Sequence, residues 1–471
     1  MPSTEPAPVP TPRKSLTEVG YALLSLILGN DFLPLLTRTK PIKRRGGLDH
    51  ERANIDKTTS TCKLDRVHVS ELGRTGSRRR CLRLERDRVA NSNSCTSRSI
   101  RNTRYGHGPR GDARPIQAFQ GRFEPYGSPI PNASGSPVAA AARAAHDVLV
   151  ARFPSQSATL DALLDTYLNG LGLQGDAGLL IGQQAAANIL NLRAGDGSFP
   201  ANPEVFTGGT GPGEWRPTPP AFAPMAVPWL GAVTPFTLKD PTQFRMPPPP
   251  SVSSGRYVRD YNEVKALGSI DSTARTQAQT DLALFYSDNF LALWERTLRG
   301  IADTNINNIG DSARLFALAN LATADALITA WDGKRFYHFW RPITAIQNGD
   351  VDGNPRTAGD ATWLPQIPTN TPPYPEYPSG ANNLTGAMIR TLERFFGNKM
   401  TFSVFSAFVS QTKTYQRFSD MADDVVDVRI YQGIHFRTAD VIARRHGTRI
   451  ADTAFRHFLR PVHHHDDDDD R

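Results

Sequence analysis

Three separated stretches of this chain hold side chains suited to gripping a compact oxyanion. The first, 334–342 (KRFYHFWRP), places Lys334 and Arg341 seven residues apart among Phe336, Tyr337, Phe339 and Trp340. On a continuous helix that spacing sets two cations on one face, two turns apart. The aromatics make the setting too apolar for an ordinary solvated face. The second, 374–380 (YPEYPSG), opens a helix: Pro378 fixes its entry, Ser379 caps it, and Gly380 lets an anion approach the free amides of the first turn. Taken alone, the same residues read more readily as a plain Ser N-cap. The third, 429–435 (RIYQGIH), has Arg429 and His435 six apart, on different faces of one helix, so Gly433 must turn the chain for them to converge. A histidine before a helix is also a common capping or core residue.

The elements that must position these stretches read as helices joined by Pro-rich connectors. Ala-rich 136–153 starts with Ser136 as N-cap and Pro137 in the first turn. Further helices are expected over 158–173, 176–194, 257–266, 272–286, 291–304 and 311–331. In the last of these Leu315, Leu318, Leu321, Ala322 and Ile328 form one apolar stripe, and Asp311 and Ser312 are capping candidates. Patterns over 381–396 (stopped by Gly397), 402–418 and 435–458 complete the set; strand signals are nearly absent. Prolines preclude regular structure across 195–254, where Trp215, Phe222, Trp229 and Phe236 suggest an ordered wrap over the helices.

The chain carries 54 Lys and Arg against 46 Asp and Glu, a net charge of +8, but the excess is local. Residues 38–114 hold 21 basic and 8 acidic side chains and all three cysteines, Cys62, Cys81 and Cys95. An odd number of cysteines at irregular spacing makes neither a disulfide framework nor a zinc site. No stacking aromatics are interleaved with the basic residues, so no nucleic-acid partner is expected. The change of character near Ala113 suggests a disordered or wrongly translated segment. Three zones follow: a basic region over 1–114 that begins Pro-rich at 1–12, a helical domain over 115–460, and a His/Asp tail over 461–471. Residues 19–29 have the outline of a secretory signal without a clear cleavage site, or of a short buried or irregular segment, so localisation is unknown, with a secreted or periplasmic place one option. No run of eighteen apolar residues occurs, so no membrane span is expected. Oligomerisation stays open.

In this order the three stretches match the K-x6-R-P, P-S-G and R-x5-H motifs of the superfamily that joins vanadium-dependent haloperoxidases to type 2 phosphatidic acid phosphatases. RAGDG at 193–197, WRPTPP at 215–220, DYNEVKALG at 260–268, WDGKRFYHFWRPITAI from Trp331 and GIHFR at 433–437 resemble the haloperoxidase branch of bacteria and plants. The resemblance covers about 113–460. It implies an all-α fold, a large helical bundle of the vanadium chloroperoxidase and acid phosphatase type with long Pro-rich connectors. It also implies vanadate held through His435, its oxygens neutralised by Lys334, Arg341 and Arg429 and hydrogen-bonded by Ser379 and the Gly380 amide. Hydrogen peroxide, polarised by Lys334, would oxidise a halide for transfer to a small organic acceptor. In phosphatase relatives phosphate occupies the same pocket and the residue at His435 is the nucleophile.

Several positions depart from the family pattern. The His that normally follows P-S-G and assists proton transfer is Ala381. Asn382 and Asn383 follow and are candidates to hold a water, but neither titrates. The Ser usually before the third motif's Arg is Val428; the acid usually four after the final His is Ala439, with Asp440 one place later. Basic sequence also stands where relatives carry an N-terminal helical segment. The leading expectation is a haloperoxidase-like enzyme slowed by Ala381; the alternatives are a small-phosphomonoester phosphatase and a non-catalytic oxyanion-binding protein.

Overall fold

A computed structural model describes residues 116–367 and 371–462 of the chain. The expectations for 1–12, 19–29, 38–114, the three cysteines and the tail from residue 463 lie outside them.

The described residues fold as a helical bundle. Helix α1 (Pro137–Arg152) begins as the sequence demands, with Ser136 Oγ accepting from the amides of Val138 and Ala139. It packs on α3 (Gly178–Leu192), and α2 (Ser157–Leu171) links the two with most of its surface exposed. After the connector come α4 (Gly255–Leu267), α5 (Gln277–Phe285), α6 (Phe290–Asn305) and the long α7 (Ile309–Tyr337). The remainder is α8 (Pro342–Gln347), α9 (Gly380–Phe396), a hairpin of β1 (Lys399–Ser406) and β2 (Gln411–Arg417), α10 (Phe418–Tyr431) and α11 (Arg437–His457).

Helix α7 is the axis. Leu315, Leu318, Leu321, Ala322 and Ile328 are all buried, and so are residues on its other faces, as expected of a helix enclosed on every side. By length and composition it could cross a bilayer, but 83% of its apolar window is buried against the rest of the protein. The absence of an eighteen-residue apolar run therefore understated this helix, which serves as the core. It is also longer than expected at both ends. Asn308, not Asp311 or Ser312, is the N-cap, accepting from the amides of Gly310 and Asp311. The helix continues through Lys334 and stops only where His338 turns left-handed (φ 35°). Arg341 lies beyond that break, as the extended N-cap of α8. Lys334 and Arg341 are thus not two turns apart on one helix face; a kink brings them together.

A second correction concerns 402–418, expected as helix. Phe402 pairs with Tyr415 across an antiparallel hairpin, and Phe402, Val404 and Ser406 point inward while Ser403 and Phe405 point out. The aromatic, β-branched and hydroxyl residues alternate with period two, and that alternation outweighs the weaker helical spacing of the phenylalanines. Tyr415 Oη closes the sheet onto the bundle, 2.6 Å from Tyr286 Oη and 2.7 Å from Asp424 Oδ2. The helix on this side is instead α10, which carries Arg429.

The Pro-rich connector is ordered. Trp215 is fully buried and its amide donates to His338 O at 2.6 Å, while the Trp340 amide donates to Gly213 O at 3.0 Å. These bonds pin the break between α7 and α8. Asp325 of α7 accepts from the amides of Phe236 (2.6 Å) and Thr237 (2.7 Å), fastening the connector at a second point. Trp229 is half-buried, whereas Phe222 is 63% exposed and takes no part in the wrap.

Candidate oxyanion-binding site

Three structural breaks converge beside the C-terminal end of α7. The first is the α7–α8 kink; the second is 374–379, which leads into α9; the third is the turn between α10 and α11. Gly433 makes that last turn with φ 76°, and a Cβ there would lie 2.5 Å from Gly268 O at the end of α4. Only glycine allows both the left-handed backbone and the close approach. The turn leaves Arg429 close enough to His435 for its charge to lower the imidazole pKa.

All six expected side chains and backbone sites are buried. Lys334, Arg341, Ser379, Gly380, Arg429 and His435 are between 0% and 8% exposed or classed as buried. Arg341 is held by Nε to Tyr374 O (2.9 Å) and Nη1 to Ile434 O (2.8 Å), and Nη1 also lies 3.3 Å from His435 Nε2. Arg429 reaches Gln432 Oε1 through Nη1 at 2.8 Å. Arg341 Nη2 and Arg429 Nε are buried without a hydrogen-bond partner among the described residues. Buried guanidinium donors left unpaired are costly unless something accepts from them. Ser379 caps α9 by accepting from the Asn382 amide at 3.3 Å. At Gly380 a Cβ would come within 3.1 Å of Trp331 and 3.8 Å of Lys334 Cε, so glycine keeps the helix start open beside the lysine.

Lys334 is not aimed freely into the pocket. Its Nζ donates to the carbonyls of Pro375 (2.7 Å), Glu376 (3.0 Å) and Pro378 (2.6 Å), bracing the segment that leads into α9. The ring of Tyr374 lies 4.9 Å from both Lys334 Nζ and the Arg341 guanidinium carbon. Burial, then the nearby Arg341, pushes the lysine pKa well below its usual 10.5. Burial likewise lowers Arg341 to about 10 and lowers Arg429. Two acids face these cations. Glu376 is raised to about 8 by burial and by Asp440, and Asp440 to about 7 by burial, offset in part by Ser379 and Arg429.

Glu376 is the residue that sequence reasoning missed. His435 Nδ1 lies 2.8 Å from Glu376 Oε1, which also accepts from the Phe436 amide at 3.0 Å. Burial and the three cations push the imidazole pKa well below 6.5, so this contact is a hydrogen bond from a neutral ring and not an ion pair. An acidic residue set between prolines and tyrosines in YPEYPSG was the available signal. The acid beside His435 in sequence does something else: Asp440 Oδ1 accepts from Asn382 Nδ2 at 2.8 Å. Asn383 Nδ2 is spent on Ala326 O (2.6 Å) and its Oδ1 lies 3.1 Å from His446 Nδ1. Both amide atoms of Asn383 are therefore engaged, whereas Asn382 Oδ1 is buried without a hydrogen-bond partner among the described residues. Elsewhere, RAGDG forms an Arg193–Asp196 ion pair of 2.8 Å, and GIHFR joins DYNEVKALG through Arg437 and Glu263 at 2.7 Å.

Within the helical bundle, a buried lysine and two buried arginines are thus gathered near one imidazole. Residues 314–464, which contain all six expected site positions, match the VCPO second helical-bundle domain family. The chain is 28% identical over 211 residues to vanadium chloroperoxidase from Curvularia inaequalis, a match covering 38% of this chain and 34% of that protein. It thus spans about a third of the length of that curated relative. The crystal structure of a bacterial vanadium-dependent iodoperoxidase superposes with TM-score 0.63 at 22% identity, over 74% of this chain and 88% of that one. The holo form of a bacterial vanadium-dependent chloroperoxidase gives 0.53 at 19% identity, over 68% and 81% respectively. The fold is thus the helical bundle of the solved vanadium haloperoxidases, and residues 314–464 are similar to the second helical-bundle domain of that family.

Proposed function

We propose that this chain binds vanadate through His435 and catalyses hydrogen peroxide-dependent halide oxidation, with halogen passed to a small organic acceptor, at a rate held down by Ala381. One observation carries the reading: Arg341 keeps a buried donor without a partner while its Nη1 lies 3.3 Å from His435 Nε2, and Arg429, whose charge also acts on that imidazole, keeps a second. That donor set suits an anion with several negative oxygens. Vanadate, when bound, supplies a Lewis acid that activates peroxide toward halide without a redox change of its own.

The residues divide the remaining work. His435 presents Nε2 as a lone-pair donor. Arg341 and Arg429 supply fixed charge and hydrogen bonds from a dry pocket, where they act more strongly than in water. Ser379 and the first-turn amide of Gly380 add donors at the positive end of α9. Lys334 contributes positive charge and shapes the wall. Ala381 moves no proton where relatives carry a histidine, and loss of such help costs about a hundred- to ten-thousand-fold in rate.

Purified protein supplied with orthovanadate, hydrogen peroxide and bromide should brominate monochlorodimedone slowly, and only when vanadate is present. Phosphate release from p-nitrophenyl phosphate without halogenation would replace this reading with a phosphatase, and tight vanadate binding with neither activity would leave an anion-binding protein.

A further inference from the structure

We propose that Glu376 is a positioning residue that locks His435 in the tautomer with its proton on Nδ1, leaving Nε2 as the ring atom offered to an oxyanion. The inference rests on the reading of His435 as the vanadate ligand.

The tautomer follows from donor inventory. A guanidinium only donates, so Arg341 Nη1 at 3.3 Å requires an unprotonated Nε2. A neutral imidazole carries one N–H, which must then sit on Nδ1, facing Glu376 Oε1 at 2.8 Å. The Glu376 side chain cannot swing away easily. Its own amide donates to Phe339 O at 2.9 Å, and Oε1 takes a second bond from the Phe436 amide. The carbonyls of Pro375, Glu376 and Pro378 are gathered on Lys334 Nζ. One rigid segment thus connects the cation that braces it to the acid that orients the ring. The sequence-adjacent acid does not compete, because Asp440 is engaged by Asn382 and Ala439 has no polar group. Partners that fix a ligating histidine this way set both its orientation and its basicity.

Nitrogen-labelled histidine NMR of the full chain without added anion reads the tautomer directly, with the His435 signal assigned by its loss in His435→Gln. The native protein should show a single Nδ1–H form, Glu376→Ala a mixture, and Glu376→Gln the native form, because its amide oxygen still accepts from Nδ1–H. Orthovanadate affinity should fall roughly 10- to 100-fold in Glu376→Ala and stay close to native in Glu376→Gln. Phosphate, which needs no bond to Nε2, should bind both variants nearly as before. An unchanged tautomer in Glu376→Ala, or equal loss of vanadate and phosphate binding, overturns the role of Glu376. Failure of the native protein to bind orthovanadate would overturn the proposed function while the NMR result still decides this one.

Discussion

Arg341 Nη1 and His435 Nε2 stand 3.3 Å apart although 94 residues separate them in sequence. The proximity depends on two breaks in helix: the left-handed His338 that ends α7, and Gly433 between α10 and α11. Because the guanidinium is also fixed by Tyr374 O and Ile434 O, its third nitrogen is aimed without freedom to wander. Arg341→Lys supplies charge but no rigid fork. Orthovanadate affinity in this variant should drop by more than about tenfold, about 1.4 kcal/mol, by calorimetry at unchanged circular dichroism. Undiminished affinity would remove Arg341 from the anion's contacts.

Ala381 is the departure with the largest expected consequence. Restoring the family residue with Ala381→His should raise halogenation by about a hundred- to ten-thousand-fold if proton transfer limits turnover. Steady-state assays with saturating vanadate check this, and no gain would show that another step or residue sets the rate.

Gly433 should tolerate no side chain. A left-handed backbone costs an L-residue roughly 1–2 kcal/mol, and the added Cβ would meet Gly268 O at 2.5 Å and Trp363 at 3.0 Å. Gly433→Ala should therefore lose at least about 2 kcal/mol in urea unfolding and weaken vanadate binding, since His435 lies two residues on. Native stability in this variant would mean that the turn relaxes easily.

Glu295 gives the fold a pH signature away from the site. Burial raises its carboxyl to about 7, against partial compensation from Arg299 and Asn320. Between the ordinary 4.5 and about 7 the folded chain holds a proton that the unfolded chain has released. This contribution to stability is complete below about 4.5, declines as pH rises through that window, and is absent above it. Its full size is on the order of 3 kcal/mol. Glu295→Gln should flatten the slope of thermal stability between pH 4.5 and 7 relative to the native chain. Parallel profiles would contradict the buried protonated state.

Much of this architecture was legible in the residues. Ser136 and Ser379 cap helices as their types dictate, and the apolar stripe of α7 marks the core. The hairpin was not, because phenylalanines at 402, 405 and 408 satisfy a helical spacing while 402, 404 and 406 satisfy an alternating one, and only packing against α6 selects between them. The site's members were recognisable from three motifs, yet their arrangement was not: seven residues between Lys334 and Arg341 imply one face only if the helix is unbroken. Glu376 escaped notice because its partner lies 59 positions away: its place between prolines and tyrosines marks it as unusual but does not name the ring it supports.

His435, Arg341 and Arg429 are proposed to hold vanadate together. Crystals soaked in orthovanadate and measured at the vanadium absorption edge test it most directly. One anomalous peak is expected within bonding distance of His435 Nε2, bordered by both guanidinium groups and absent in His435→Ala. A pocket without vanadium, or an equal peak in His435→Ala, would contradict it.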